Sequence, residues 1–515
     1  IALADSYPVI GFSENYYNKI ANLIDEETQE IRLKSIFRET EQRWPIIESL
    51  KFPPLNAAAK PQELENLFQK TADFNKFLDP TTCLIRGRKG TGKTALYDLL
   101  LKHTETANKL ANGRLDNVLL LSGHGAFKPS RPTRNDFEFI QQKLIENNGN
   151  WEAFWRAYLL LNGYQKEYFT FPNNRNQKEK FLELQEIFSK ISHNNWISDN
   201  NKYLIQLATD ENLRQIIPDA LVLFNEKNKE KNQTIWFLYD DLDEDFPEKK
   251  EIRKEALTGL FQLIQFCDAR SLKTICFKVL LREDIWKRLN FDNKSHFNGR
   301  DLVLQWTRVD FLRLALRQVI QSKKFKDLLD RTSPVEDIDQ ASEENLNKAL
   351  DLLWGSRRRK GDKAKYVSRW IYERLTDSSG TTFPRSLSVL LQRAKEKELT
   401  YKNTQIQPPT DRFLRSKSLE IGLEEASNER CNAIKQEYPD LCNFFDALEG
   451  INALLEKDEL EKLWKETASE IIEKFDDFTN LLATIGLAKQ RDKDQRYGFA
   501  DLYVYGFKMS RKGTK

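Results

Sequence analysis

The chain has 515 residues, and at roughly 150 residues per domain that is more than a single hydrophobic core holds. Hydrophobic residues make up 40% and aromatic residues 11%, which is enough apolar surface to exclude a disordered chain. Lys and Arg number 81 against 78 Asp and Glu, a net charge of +3, so overall charge selects no polyanionic partner and any nucleic-acid contact must be a local patch.

Residues 1–75 carry two amphipathic helical patterns, roughly 14–44 and 61–78, separated by the breaker PPLNAAAKP, and read as a helical lead-in and linker. The opening IALADSYPVIGF begins on Ile1, not Met, and has neither the basic start nor the apolar run of a secretory signal. From Thr82 the pattern changes. CLIRG is a short apolar run that reaches glycines and then a long helical stretch, and NVLLLSG, TIWFLY and TICFKVLL are further β-type runs, each followed by polar loop residues and a helical pattern. Strands alternating with helices predict a parallel-sheet α/β core over 76–301. Within it, the Asn-rich and aromatic stretch 128–232 reads as a helical insertion. Trp151 and Trp155, at i and i+4, form a packing stripe there.

From 302 to 400 the pattern is all helical and reads as a helical lid domain; TYKNTQIQPPTDR then reads as a linker. Residues 401–515 read as a helical plus winged-helix-like C-terminal domain, because the last forty residues give a short helix, a Gly turn, a charged tip and two alternating aromatic runs. No stretch approaches the roughly 18 apolar residues of a membrane span. Five scattered Cys without a CxxC pair, and four dispersed His (103, 124, 193, 296), predict reduced thiols, no zinc site and a cytoplasmic location.

The chemistry is carried by GRKGTGKT: Gly87, Arg88, Lys89, Gly90, Thr91, Gly92, Lys93 and Thr94 fit G-x-x-x-x-G-K-[ST] between a predicted strand and a predicted helix. Glycines let backbone N–H groups face inward as an anion nest at a helix N-terminus, Lys93 reaches β- and γ-phosphates, and Thr94 ligates Mg²⁺. IWFLYDD supplies the second acid such a loop needs at the end of a neighbouring buried strand. Asp240 is the metal-side acid, and Asp241 is placed to orient and deprotonate an attacking water, with Glu244 a weaker alternative. The guanine-reading N-K-x-D pattern is absent, the nearest string DNKS at 292–295 lacking the Asp, so ATP is the expected nucleotide. TICFKVLL ends in Arg282, which a parallel sheet would set beside the γ-phosphate. Arg385, in the first turn of a helix after Gly380 and Pro384, is the cation a helical lid would present. The alternatives for both arginines are ion pairs at helix starts, and Arg317, at helical spacing from Leu314 and Leu316, reads as groove-lining or as a buried pair.

GRKGTGKT, FLYDDLD, VLLRED, VLQWTRVDFLRLALR and GTTFPRSL, in this order, resemble bacterial P-loop ATPases of the broad AAA+ assemblage, which includes origin-recognition, STAND and KAP-type proteins. The resemblance covers roughly 75–400. It implies an αβα ATPase core with a helical lid, sensor residues at Arg282 and Arg385, and ATP-dependent assembly or switching. It also implies a place in a multi-protein bacterial system, antiphage or DNA-linked, with protein partners from the same operon. Asp241 departs from it, standing where many relatives carry Glu. DNA is a further candidate partner, through the basic run 356–365 with Tyr366 and Trp370 beside it or through 491–515, where seven Lys or Arg face three Asp. The alternative is a nucleic-acid-binding module or a structural subunit in which ATP only orders the fold.

Overall fold

The computed structural model describes residues 37, 40–53, 67–125, 128, 131–172, 175–191, 198–242, 244–246, 250–359 and 364–511. It divides into two compact units, residues 55–306 and residues 1–54 with 307–515. Most of the helical pattern expected over 14–44 lies outside the described residues; Thr40–Ser49 is a helix. Over 61–78 the described residues hold the short helical turn Phe74–Phe77.

The unit 55–306 is built on a five-stranded, wholly parallel sheet. Its strands are β1 (Leu84–Gly87), β2 (Val118–His124), β3 (Thr234–Tyr239), β4 (Ile275–Arg282) and β5 (Asp301–Val303), in the order β2-β3-β4-β1-β5. The alternation of side chains along each strand sorts the apolar runs onto two faces. Leu84, Ile235, Phe237, Tyr239, Phe277, Val279 and Leu281 pack on one side, with helix residues such as Trp155, Ala220 and Leu260. Ile85, Trp236, Leu238, Cys276, Leu280 and Leu302 pack on the other, against Leu96, Leu99, Leu100 and Phe77. Helices therefore cover both faces, which explains why the central strands read as continuous apolar runs.

β5 was not expected, since the helical pattern was taken to begin at 302. It is three residues long with only Leu302 buried. Its ladder extends beyond the strand, because Leu304 N–H donates to the Arg86 carbonyl at 2.9 Å. The expected helical stretch between β2 and β3 is present as five helices, Arg134–Glu146, Trp151–Gln165, Arg175–Lys190, Asp199–Thr209 and Glu211–Glu230. Trp151 and Trp155 are both buried there, and the Trp155 indole donates to the Ala256 carbonyl at 2.7 Å. That is the packing role expected.

In the second unit, helices Pro384–Leu399 and Ser416–Glu437 pack along each other. The Pro-containing stretch between them is tied down by Arg43, which donates to the Arg412 carbonyl at 2.8 Å and ion-pairs at 3.0 Å with fully buried Glu398. β7 (Ala488–Gln490) and β8 (Tyr497–Phe499) form the expected C-terminal hairpin, and β6 (Leu454–Leu455), which the sequence reading did not anticipate, completes an antiparallel sheet in the order β6-β8-β7.

One buried cation holds the sheet to the segment that leads into it. Lys278, fully buried in the middle of β4, donates to the carbonyls of Phe77, Asp79 and Thr82 at 2.6, 2.7 and 2.8 Å and lies 4.3 Å from the Trp236 ring centre. Burial pushes its pKa down to about 7, against about 10.4 for a free lysine. Between those values the unfolded chain binds the extra proton, so stability contributed at this residue rises as pH climbs. The difference in urea stability between wild type and Lys278→Met should therefore be flat below about pH 7 and shift in favour of wild type by a few kcal/mol, about 2–4, toward pH 10. An unchanged difference across that range would contradict this.

Candidate functional site

β1 ends at Gly87, directly opposite Arg282 at the end of β4. The chain then loops through 88–92 into α1 (Lys93–Lys102), whose N-cap is Gly92. Gly90 and Gly92 have φ of 89° and 103°, values that only glycine adopts without strain. A Cβ at Gly87 would run into the Thr91 hydroxyl. That hydroxyl donates to the Arg88 carbonyl at 2.8 Å and closes the loop upon itself. Arg88 and Thr91 are buried, and Lys89 is half-buried. The Lys93 ammonium crosses the loop, donating to the carbonyls of Gly87 at 2.9 Å and Arg88 at 3.2 Å. The result is a compact turn of backbone at the amino end of a ten-residue helix, where the N–H groups of a first helical turn and the helix dipole favour an anion.

Asp240 follows β3 directly and continues its ladder, its N–H donating to the His124 carbonyl at 3.0 Å. It is 4% exposed, and its carboxylate lies near the Thr94 hydroxyl, which favours its charged form. Burial, helped by the neighbouring charge of Asp241, pushes its pKa up to about 7, while Lys93 and Thr94 pull the other way. Its Oδ2 is buried with no hydrogen-bond partner. An acceptor left over in this way, beside a hydroxyl, fits a hard divalent cation with oxygen ligands. Asp98 on α1 feels the same crowding: burial first, then Asp241, raise it to about 6.

Asp241 sits at φ 57°, a left-handed conformation that costs a non-glycine residue energy. Its carbonyl accepts from the N–H groups of Glu244 and Asp245, each at 3.0 Å. What holds this turn is Asp245. Its carboxylate meets the fully buried His124 ring at 2.9 Å and Arg131 at 3.0 Å. Burial would raise the Asp245 pKa, but the hydrogen bonds from His124 and Arg131 outweigh it and hold it low; burial lowers that of His124. A neutral imidazole donating from Nε2 satisfies both. The other side of the site is braced by Tyr97 of α1, whose hydroxyl meets Ser122 at 2.6 Å and the His124 carbonyl at 3.1 Å.

Lys93, Thr94, Asp240 and Asp241 thus come together. Arg282 is at the same strand edge, with its guanidinium held by Asp284 at 3.0 and 2.9 Å, the ion pair foreseen as its bland alternative. Glu244 is exposed. Arg385 lies in the other unit, 3.8 Å from Glu429, and Arg317 pairs there with Asp339 at 2.7 Å. Residues that the sequence does not place at the site are Asp245, Arg131, Tyr97 and Trp306, together with His124, one of the four dispersed histidines, which is buried.

The two basic segments differ. Arg357 and Tyr366 bridge an antiparallel turn, with the guanidinium 4.5 Å from the ring centre; Arg359 is exposed, while Lys360 and Lys363 lie outside the described residues. In the C-terminal segment Arg491 and Arg496 both pair with Asp494, Lys508 with Glu449 and Arg511 with Asp501; Lys512 and Lys515 lie outside the described residues. No helix among the described residues is long and apolar enough to cross a membrane.

No protein-family model matches the chain, and no curated protein matches it. Similar solved structures include the ORC2 protein of Aeropyrum pernix in ADPNP–ADP complexes, at 11% identity over 82% of this chain and 86% of that one with a TM-score of 0.38. Another is Cdc6p from Pyrobaculum aerophilum, at 13% identity over 88% and 95% with a TM-score of 0.28.

Asp245→Ala should strand a buried imidazole and Arg131 without their carboxylate. Stability should fall by about 2–3 kcal/mol, and proteolysis should increase between 241 and 249. Wild-type stability and cleavage would show that the turn is held otherwise.

Proposed function

We propose that this chain is a Mg²⁺-dependent ATP-binding and ATP-hydrolysing switch or motor subunit. The observation that carries the reading is the proximity of Thr94, at the start of α1, to the buried carboxylate of Asp240, directly after β3, where the glycine-rich loop turns into its helix. Residues 87–94 would take the nucleotide phosphates, with Lys93 moving from the Gly87 and Arg88 carbonyls to the phosphate oxygens. Thr94 and Asp240 would hold Mg²⁺, which when bound supplies positive charge to phosphoryl oxygens. Asp241 lies next along the chain, held in one orientation by its turn, and would accept a proton from the attacking water. Arg282, fixed by Asp284, is the proposed sensor of the terminal phosphate from the adjacent strand end, and Arg385 the cation contributed by the helical unit.

ATP-promoted self-association belongs to the same proposal, since a cation from a second copy would finish such a site only on correct docking. So does work within a multi-protein bacterial system, antiphage or DNA-linked, with operon-encoded partners, in the cytoplasm. For DNA, the candidate segments are 356–365 and 491–515.

Purified protein should turn over Mg-ATP. Lys93→Ala should lose binding and turnover, Asp240→Asn should weaken the Mg²⁺ dependence, and Asp241→Asn should keep ATP affinity within about threefold while turnover falls by about 10²-fold or more. Light scattering should show a larger mass with ATP. Undiminished turnover in Lys93→Ala would sink the assignment, and a monomer under ATP with concentration-independent activity would sink the assembly part alone.

A further inference from the structure

Trp306 sits two residues beyond the last pairing of the β5 edge, where Leu304 N–H meets the Arg86 carbonyl. That pairing carries the chain along the flank of the 87–94 loop. There the Trp306 indole Nε1 donates to the Thr91 carbonyl at 2.9 Å. Its six-membered ring lies beside Gly92, where a Cβ would come within 3.8 Å of it. The indole therefore grips a single peptide unit, the one joining Thr91 to Gly92.

That peptide is free to turn in the absence of a restraint. Gly92, at φ 103° and ψ 12°, tolerates both halves of the φ range, so the preceding peptide plane can flip at little steric cost. In a trans peptide the carbonyl and the following N–H point in opposite directions, and no cis bond occurs among the described residues. Fixing the Thr91 carbonyl toward Trp306 therefore fixes the Gly92 N–H away from it. The Thr91 side chain is held separately by the Arg88 carbonyl at 2.8 Å, so the indole N–H is the bond that sets the plane.

We infer that Trp306 is a positioning residue for the phosphate nest: by holding the Thr91 carbonyl outward it turns the Gly92 N–H inward, toward a bound polyphosphate. The inference rests on the phosphate-binding reading of 87–94. Its ligand chemistry is the phosphate chain alone, with no contact to base or sugar. A nest whose donors are already aligned binds more tightly, because the ordering cost is met during folding instead of during binding.

The test is calorimetric titration of the full-length chain with Mg-ATP and, separately, with Mg-pyrophosphate, which carries the phosphates without base or ribose. Trp306→Phe keeps an aromatic ring and deletes the N–H. Benzothienylalanine at 306, which exchanges the N–H for sulfur at nearly constant shape, covers the case in which the Phe variant folds poorly. Both should weaken ATP and pyrophosphate by the same factor, about five- to tenfold. Affinities within twofold of wild type would overturn the inference. So would weakened ATP binding with unchanged pyrophosphate binding, since Trp306 would then be touching the base. Lys93→Ala separates the two levels: if wild type binds neither ligand, or binding survives that substitution, the phosphate-binding reading fails and takes this inference with it. If binding is abolished there and Trp306→Phe behaves as wild type, only the role of Trp306 is lost.

Discussion

Thr94, in the first turn of the helix after β1, and Asp240, directly after β3, follow strands that have a third strand between them, and their proximity is the point on which the site depends. The order β2-β3-β4-β1-β5 puts β4 between the glycine loop and the acidic turn. The sheet must therefore be in register across all three strands for the two loops to meet, as it is: Gly87 faces Arg282, and Tyr239 faces Val279. Lys278, near the middle of β4, gathers the carbonyls of the segment before β1, so the strand that separates the loops also anchors the entrance to the first of them.

Charge is unevenly distributed around that point. Asp98, Asp240 and Asp241 crowd one side of α1, and burial with mutual repulsion raises Asp98 and Asp240. Lys93 opposes this at Asp240, while its ammonium is engaged with loop carbonyls. A site of this kind is under electrostatic tension that a divalent cation relieves. The turn after Asp240 stores a second strain, the left-handed Asp241, and the His124–Asp245–Arg131 cluster is the restraint that keeps it in place.

Much of this was legible from sequence because it is local. The glycine loop, its helix and the aspartates after TIWFLY are contiguous motifs, and β1 to β4 announce themselves as apolar runs because both sheet faces are covered. β5 and β6 did not, being three and two residues long with a single buried residue each. Asp245 does not stand out among the acids after TIWFLY because its partners, His124 and Arg131, are more than a hundred residues away. Trp306 read as the opening of a helical domain; only the pairing of β5 with β1 reveals that the chain returns to the loop before leaving. Arg282 shows the reverse limit, since the sequence offered both a sensor and an ion pair and the structure contains the ion pair.

Where the phosphates bind decides what this site does. A crystal structure with Mg²⁺ and a non-hydrolysable ATP analogue should place the triphosphate against the N–H groups of 90–94, with Mg²⁺ between Thr94 and Asp240. Lys93 should have left the carbonyls of Gly87 and Arg88 for the phosphate oxygens. Nucleotide bound elsewhere, or Lys93 still on those carbonyls beside an occupied loop, would contradict it.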